Sequence, residues 1–170
     1  MATYPLSGKT SLDLKEAEKS ALDILLSKKQ IVKISDSLKT KELYIVGGSL
    51  RRILNNEDAN DIDFAVDLTP DVVTERLNTA NIRVIPTGIK HGTITALVDE
   101  QSFEITTFRK PNIENKPLFS KTIEEDISGR DFTINSLALR VSDKTLLDLY
   151  DGLKDLREKT LRCVGDADIR

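Results

Sequence analysis

The chain has 170 residues, of which 39% are hydrophobic and 31% charged, a composition that indicates a globular domain of ordinary size. A single cysteine, Cys163, excludes a disulfide framework and a cysteine-rich zinc site, and a single histidine, His91, argues against a catalytic triad. The net charge of −3 means that any contact with a nucleic acid needs a local basic patch or a partner domain.

The N-terminal part of the chain is predicted to be helical. Apolar residues recur at helical spacing through residues 12–38, and Ser11 or Asp13 is available to cap the start, so the pattern predicts one or two helices. We therefore expect an N-terminal helical segment over residues 1–41 and the principal domain over residues 42–170. The N-terminus lacks an apolar signal core, and no run in the chain approaches the roughly 20 apolar residues that cross a bilayer. These features predict a cytoplasmic protein with no membrane partner.

Two strands separated by a short helix follow the helical segment. The stretch "ELYIVGG" (42–48) predicts a buried strand ended by glycines, "SLRRIL" a helix beginning near Ser49, and "DIDFAV" (61–66) a second strand. Thr69 is a candidate helix cap and Pro70 suits the first helical position, which together predict the next helix.

The rest of the chain mixes strands and short helices. "IRVIP" predicts a strand, "TITALVD" and "SFEITTFR" a hairpin, and "KPNIENKPLFSK" (110–121) a loop. "TIEEDI" predicts a capped helical turn, and residues 146–166 read as strand, turn, short helix and strand. The whole pattern predicts an α+β fold with a mixed, mostly antiparallel sheet packed with helices.

Several side chains in this region have ordinary structural interpretations. The acidic run 124–126 is interpreted as capping or solvating its helical turn, and residues 154–159 as an exposed helix face with ion pairs. Four aromatic residues are predicted to lie in the core: Phe103, Phe108, Phe119 and Phe132.

A pair of carboxylates is the first candidate for chemistry. Side chains alternate along a strand, so Asp61 and Asp63 project to the same side with Ile62 buried between them. Such a pair can chelate a divalent cation, and Glu104 on another strand could add a third oxygen ligand. Oxygen ligands without Cys or His favour Mg²⁺ or Mn²⁺ over zinc. The alternative interpretation is a solvated strand end.

A glycine turn precedes the carboxylates by about a dozen residues. Gly47 and Gly48 allow the backbone to approach an anion, and the N-terminus of the following helix presents free N–H groups to it. Arg51, on the first turn of that helix, can add a charge-assisted bond to a phosphate. A Gly-Gly turn without any ligand is the plain alternative.

These motifs, in this order, resemble a known family. The sequence "VGGSLRRIL…DIDFAV…TGIKHGT…FEITTFR…EEDISGRDFTINSLAL…LLDLYDGLKDLREKTLRCVGD" looks like the catalytic head domain of the class II tRNA nucleotidyltransferase (CCA-adding enzyme) and poly(A) polymerase family. The resemblance covers roughly residues 42–168, and "GRDFTINSLAL" is its most specific part. It implies a nucleotidyltransferase fold of the DNA polymerase beta type.

The resemblance also implies roles for individual residues. Asp61 and Asp63 match the catalytic, metal-binding aspartates of the family. The positions that match nucleotide contacts are Gly47, Gly48, Arg51, Arg130, Asp131 and Asn135. Within that set Arg130 matches a triphosphate contact, while Asp131 and Asn135 either bond the sugar or hold the loop, and Asn135 could instead cap a helix. Lys90 and His91 lie in a family loop that shapes the site.

The chain departs from the family pattern in four places. Arg52 stands where the family has an aspartate, and Gly129 stands where it has an arginine. The loop at 110–121 is shorter than the family's flexible loop. Family members also continue into helical neck, body and tail domains, so we expect missing C-terminal domains or a partner chain to supply the grip on RNA.

The implied activity is metal-dependent transfer of a nucleoside monophosphate from CTP or ATP to the 3′-hydroxyl of an RNA. The RNA expected from the resemblance is a tRNA receiving its CCA end, with release of pyrophosphate. One alternative is a nucleotidyltransferase that acts on a protein or a small molecule. The other is a head domain that binds nucleotide without turnover, which the departures at Arg52 and Gly129 motivate.

Overall fold

The computed structural model of the protein describes residues 14–110 and 118–165. The candidate caps Ser11 and Asp13, and most of the predicted loop at 110–121, therefore lie outside the described residues. In chain order the elements are α1 (Glu16–Leu26), α2 (Lys29–Leu38), β1 (Leu43–Val46), α3 (Gly47–Leu54), β2 (Ile62–Val66), α4 (Pro70–Thr79), β3 (Arg83–Gly88), β4 (Thr93–Val98), β5 (Gln101–Thr107), α5 (Ile123–Ser128), β6 (Leu137–Arg140), β7 (Leu146–Asp148) and α6 (Gly152–Glu158), with 3-10 turns at Ile89–His91 and Thr133–Asn135.

A single mixed sheet organises the part of the chain that the structure describes. Its seven strands run in the order β3-β4-β5-β2-β1-β6-β7. Strands β2 and β5 are parallel, and the other described neighbours are antiparallel. The predicted α+β fold with a mixed, mostly antiparallel sheet is confirmed. The parallel pair places the middle of β5 beside the start of β2, where the two aspartates lie.

The larger hydrophobic cluster joins the N-terminal helices to the sheet. Leu25 of α1 and Ile34 of α2 are buried in the same cluster as Ile45, Phe64 and Ile105 from three adjacent strands. Burying these apolar side chains is worth about 1.5–3 kcal/mol each, so the helices and the sheet stabilise one another. The proposed boundary between residues 41 and 42 stays a prediction, and it would divide elements that share a core.

The opposite face of the sheet is covered by α5 over a smaller cluster. Tyr44 and Phe108 are fully buried there, and their ring centroids lie 5.9 Å apart in a tilted arrangement. Thr122 caps α5, as predicted, because its side chain accepts a hydrogen bond from the Glu125 N–H. This short helix brings the residues that follow it to the carboxylate end of the sheet.

Three local predictions are wrong. Helix α3 begins at Gly47 rather than near Ser49, since the first glycine takes φ +75° and turns the chain directly into the helix. The predicted last strand is reduced to an isolated bridge between Phe132 and Cys163. Two of the four aromatic residues predicted in the core lie outside both clusters: Phe119 is 44% exposed and covers Gly92, and Phe132 is half-buried.

Across residues 14–110 and 118–165, no helix is both long enough and apolar enough to span a membrane.

Candidate active site

Three carboxylates lie close together beside the start of β2, on the parallel strand pair β2 and β5. Ile62 is buried in the core, so Asp61 and Asp63 on either side of it turn away from the core. Asp63 is the register partner of Glu104 on β5, and Asp61, Asp63 and Glu104 line one cavity of about 280 Å³. Glu104 therefore lies on the strand beside the aspartate pair, where the sequence analysis expected it, and its role as a metal ligand stays a prediction.

The electrostatics of this cavity favour a cation. Burial raises the pKa of Asp63, and the negative charges of Glu104 and Asp61 raise it further, while the positive charge of Arg130 lowers it in part. The ionised form of Asp63 is thus held at an energetic cost that a bound cation would relieve. The donors are all hard oxygens, which suit Mg²⁺ or Mn²⁺.

The described side chains do not form a complete metal cage. No group of three or more His, Cys, Asp or Glu side chains in residues 14–110 and 118–165 is arranged to hold a metal ion by itself. The carboxylates can therefore supply only part of a coordination shell. Sites that bind a cation together with substrate phosphates have this character, because water and phosphate oxygens complete the shell.

Gly47 lies beside both the acidic and the basic side of the site. A Cβ on this residue would lie 3.5 Å from Asp63 Oδ2 and 3.4 Å from Arg130 Nη1. Gly48 follows it in the first turn of α3, where a Cβ would lie 3.6 Å from Arg51 Nη2. The bare backbone of the two glycines and the first N–H groups of α3 thus face a space bordered by two guanidinium groups, a suitable place for phosphates.

Arg130 is held from behind by a buried carboxylate. Its Nη2 donates to Asp126 Oδ2 at 2.9 Å, and Asp126 Oδ1 accepts the Arg109 backbone N–H at 2.9 Å. Asp126 is only 5% exposed, so its interpretation as a solvated helix residue is wrong. The i,i+4 spacing of Asp126 and Arg130 was the available signal, although spacing cannot show that the carboxylate is buried.

Arg51 is linked to the "GRDFTIN" segment through two side chains. Its Nη1 donates to Asn135 Oδ1, and Asn135 Nδ2 donates to Asp131 Oδ1 at 2.9 Å. The same Asp131 oxygen accepts the Phe132 N–H at 2.7 Å. Asn135 ends a 3-10 turn rather than capping a helix. In this structure Asn135 bonds Arg51 and Asp131 bonds Asn135, and the predicted choice between bonding the sugar and holding the loop stays a prediction.

Helix α6 and Arg162, which follows it, hold the "GRDFTIN" segment through Asp155. The Thr133 hydroxyl donates to Asp155 Oδ2 at 2.5 Å, and Arg162 Nε donates to the same oxygen at 3.0 Å. Asp155 is 5% exposed, so the interpretation of residues 154–159 as a wholly exposed face is wrong. Gly152 packs so closely on Thr133 that a Cβ would lie 2.1 Å from the Thr133 carbonyl oxygen.

The remaining family positions lie further from the carboxylates. Arg52 is exposed and its Nε lies 3.7 Å from Glu57 Oε2, so it points away from the glycine turn. Lys90 and His91 are exposed in the 3-10 turn between β3 and β4, and β4 is two strands from β2 in the sheet.

The chain is similar in sequence to known proteins. The family model described as the poly A polymerase head domain matches residues 43–162. The CCA-adding enzyme of Leuconostoc citreum is 38% identical over 135 residues, covering 76% of this chain and 32% of that enzyme. The CCA-adding enzyme of Lactobacillus johnsonii is 40% identical over 135 residues, covering 76% and 33%. The chain spans about a third of the length of these relatives.

Solved structures give the same result at the level of the fold. The Bacillus stearothermophilus CCA-adding enzyme in complex with CTP is similar with a TM-score of 0.70 and 29% identity, covering 91% of this chain and 35% of that one. A tRNA nucleotidyltransferase complexed with a primer tRNA and an incoming ATP analog is similar with a TM-score of 0.61 and 31% identity, covering 73% and 36%.

Proposed function

The chain belongs to the poly(A) polymerase head-domain family, as the sequence motifs predicted, and on that premise we propose that it transfers nucleoside monophosphates from CTP or ATP to the 3′-hydroxyl of an RNA. The acceptor is a tRNA 3′ end and the product its CCA sequence. In this reaction the acceptor oxygen bonds to the α-phosphorus, the bond to pyrophosphate breaks, and the hydroxyl proton passes to solvent. The proposal includes a cytoplasmic location.

One observation carries the proposal above the others. Asp63 and Arg130 face the same backbone position, Gly47, from two sides. A nucleotide triphosphate with its divalent cation needs an acidic group for the cation and a cationic group with backbone N–H donors for the phosphates. These opposite requirements are met here within one small space.

The residues of the chain take separate parts in the reaction. Asp61 and Asp63, with Glu104 beside them, would hold Mg²⁺ or Mn²⁺. When bound, the cation offsets phosphate charge and lowers the pKa of the attacking hydroxyl.

The triphosphate has its own set of residues. Gly47, Gly48, Arg51 and Arg130 bind it and orient the α-phosphorus for in-line attack. Asp131 and Asn135 keep the Arg51 guanidinium in place through the hydrogen bonds described above.

The choice of CTP, ATP and tRNA rests on the relatives. The similar enzymes are named for CCA addition, and similar structures hold CTP or a primer tRNA with an ATP analog. The described surface around the glycine turn contains two arginines but no extended basic tract. We therefore assign the grip on tRNA to further domains or to a partner chain.

A nucleotide-incorporation assay tests the proposal. The protein is incubated with Mg²⁺, α-labelled CTP or ATP, and a tRNA transcript that lacks its CCA end. With the tRNA supplied at high concentration to offset its weak binding to this domain, the expected result is labelled tRNA and pyrophosphate, abolished by Asp61→Ala and retained by Asp58→Ala, an exposed neighbour on the preceding loop.

The other outcomes separate the alternatives. Full activity in Asp61→Ala would contradict the metal assignment. Nucleotide binding without incorporation would favour a non-catalytic head domain, and labelling of a protein or small molecule alone would favour the other acceptor class.

A further inference from the structure

Asp126 is a buried carboxylate on a short helix, and both of its oxygens are hydrogen-bonded. It lies on α5, is 5% exposed, and its two oxygens accept from different parts of the chain. One oxygen takes the Arg109 backbone N–H just after β5, and the other takes Arg130 Nη2, both at 2.9 Å. A buried carboxylate is costly unless it is paired in this way, so both bonds help to keep it in place.

We propose that Asp126 is a positioning residue that fixes the Arg130 guanidinium so that its other amino group faces the triphosphate site. The inference rests on the proposed function, because it assigns Arg130 to phosphate binding. It concerns a residue that does not touch the substrate and acts through another side chain.

The geometry at Arg130 gives the physical reason. Nη2 is turned back toward Asp126, and Nη1 is turned forward to within 3.4 Å of where a Gly47 Cβ would be. An arginine side chain that is already fixed loses less rotamer entropy when it binds phosphate than a mobile one does. Asp126 therefore orders Arg130 before the nucleotide arrives.

A competing carboxylate makes this orientation necessary. Asp63 Oδ2 borders the same Gly47 position as Arg130 Nη1, and the two side chains interact electrostatically. Without Asp126, the guanidinium would be free to turn fully onto Asp63. That ion pair would occupy a phosphate-binding group and a cation ligand together.

The bond to Arg109 ties the arrangement to the sheet. Arg109 follows β5, the strand that carries Glu104, so Asp126 connects α5 to the same strand pair that bears the carboxylates. The position of Arg130 is thereby set relative to the cavity rather than by the segment after α5 alone.

The substitution Asp126→Asn separates positioning from simple structural support. Asparagine keeps an oxygen that can accept the Arg109 N–H, but it presents an NH₂ group to Arg130 Nη2, so two donors face each other. Glu124→Gln is the matched control, because Glu124 lies on the same turn of α5 and is half-buried.

Calorimetry with CTP and with CMP, both with Mg²⁺, provides the measurement. Asp126→Asn is expected to weaken CTP binding about tenfold, which corresponds to about 1.4 kcal/mol, and to leave CMP binding unchanged. In an Arg130→Ala background the same substitution is expected to change CTP binding by less than about twofold, because coupled residues are not additive. Glu124→Gln is expected to bind both nucleotides like the wild type.

The outcomes that overturn the inference are distinct. They are unchanged CTP affinity in Asp126→Asn, equal losses for CTP and CMP, or a full loss in the Arg130→Ala background. Asp126→Ser, which also keeps an acceptor oxygen, repeats the test if the asparagine variant does not fold, and failure of both to fold would assign the carboxylate to stability alone. Absence of CTP binding by the wild type would instead remove the proposed function, and this inference with it.

Discussion

Asp63 and Arg130, 67 positions apart in the sequence, both lie next to Gly47, the first residue of α3. A Cβ at Gly47 would meet Asp63 Oδ2 at 3.5 Å and Arg130 Nη1 at 3.4 Å. The carboxylate comes from a central strand and the guanidinium from the segment after α5. A methyl group at Gly47 would touch both side chains at ordinary contact distances and would take up the space between them, while φ +75° disfavours any side chain there.

Gly47→Ala is therefore expected to weaken nucleotide binding about tenfold. The new methyl group would contact both Asp63 and Arg130 where the phosphates are proposed to lie, and φ +75° would strain an alanine by about 1–2 kcal/mol. Calorimetry with CTP and Mg²⁺ measures the loss, and urea unfolding measures the strain. Gly165→Ala is the matched control, since Gly165 has φ +77° and nothing within 4 Å of a Cβ. Equal CTP affinity in the Gly47 and Gly165 variants would argue against a role for Gly47 in the site.

The raised pKa of Asp63 predicts a conflict between function and stability. Below the unfolded pKa of about 3.9 the group is protonated in both states and contributes nothing. As pH rises, the unfolded state ionises first and the folded state later, so the free energy of unfolding falls until pH exceeds the folded pKa. Asp63→Asn removes this penalty and is expected to raise the melting temperature at pH 7, by about 2–4 °C for each kcal/mol.

The pH dependence separates this effect from ordinary packing. The melting temperatures of Asp63→Asn and wild type, measured without metal or nucleotide, are expected to converge near about pH 3, where the aspartate is protonated. Asp58→Asn, at an exposed loop position, should match the wild type throughout. A less stable Asp63→Asn at pH 7 would show that the carboxylate stabilises the fold and would contradict the prediction.

Glu18 shows the opposite sign of linkage. Burial by itself would raise its pKa, but hydrogen bonds from Arg157 and the Lys15 N–H outweigh it, so the pKa is lowered. Arg157 Nε and Nη2 donate to the two carboxylate oxygens at 2.8 and 2.5 Å, joining α1 to α6. The resulting stability is present above the unfolded pKa of about 4.3 and is lost as pH falls through the folded value.

Glu18→Gln is accordingly expected to cost about 2 kcal/mol of unfolding free energy at pH 7. The difference from wild type should shrink in acid, as measured by urea unfolding at several pH values. Glu16→Gln on the same helix removes an exposed pair with Lys19 and should cost less than about 0.5 kcal/mol. Similar costs for the two variants would mean that the Glu18 pair behaves as a surface pair.

Gly152 tests the support beneath the "GRDFTIN" segment. A Cβ at this position would lie 2.1 Å from the Thr133 carbonyl oxygen. Because that oxygen belongs to the backbone and cannot rotate away like a side chain, α6 would have to move. Gly152→Ala is expected to destabilise the protein by about 3 kcal/mol or more. Gly88→Ala is the control, because a Cβ there would make only ordinary contacts at 3.5 and 3.6 Å. Equal thermal stability of the two variants would refute the close packing.

The parts of the site that are local in sequence could be predicted from it. Alternation along a strand placed Asp61 and Asp63 on the same face with Ile62 between them, and the glycines after β1 marked the turn for which phosphate binding is proposed. Glu104 was also chosen correctly as a strand neighbour of the pair, although its place opposite Asp63 depends on parallel pairing. The sequence did not predict that pairing, because it joins strands that are separated in the chain by α4, β3 and β4.

The supporting residues could not be found in the same way. Arg51 bonds Asn135 across 84 positions, and Thr133 bonds Asp155 across 22, so no periodic pattern connects them. Asp155 looked like one more charge on a solvated helix, and Asp126 looked like a cap, because charged residues are mostly exposed. Tertiary packing buries both carboxylates and pairs each with a residue of the "GRDFTIN" segment.

Anomalous diffraction from crystals grown with Mn²⁺ and a non-hydrolysable CTP analogue tests the central claim most directly. The expected result is a manganese ion bound by Asp61 and Asp63, with phosphate oxygens beside it and the triphosphate lying over Gly47 and Gly48 toward Arg130. Manganese bound elsewhere, or a triphosphate that does not contact the glycine turn, would contradict it.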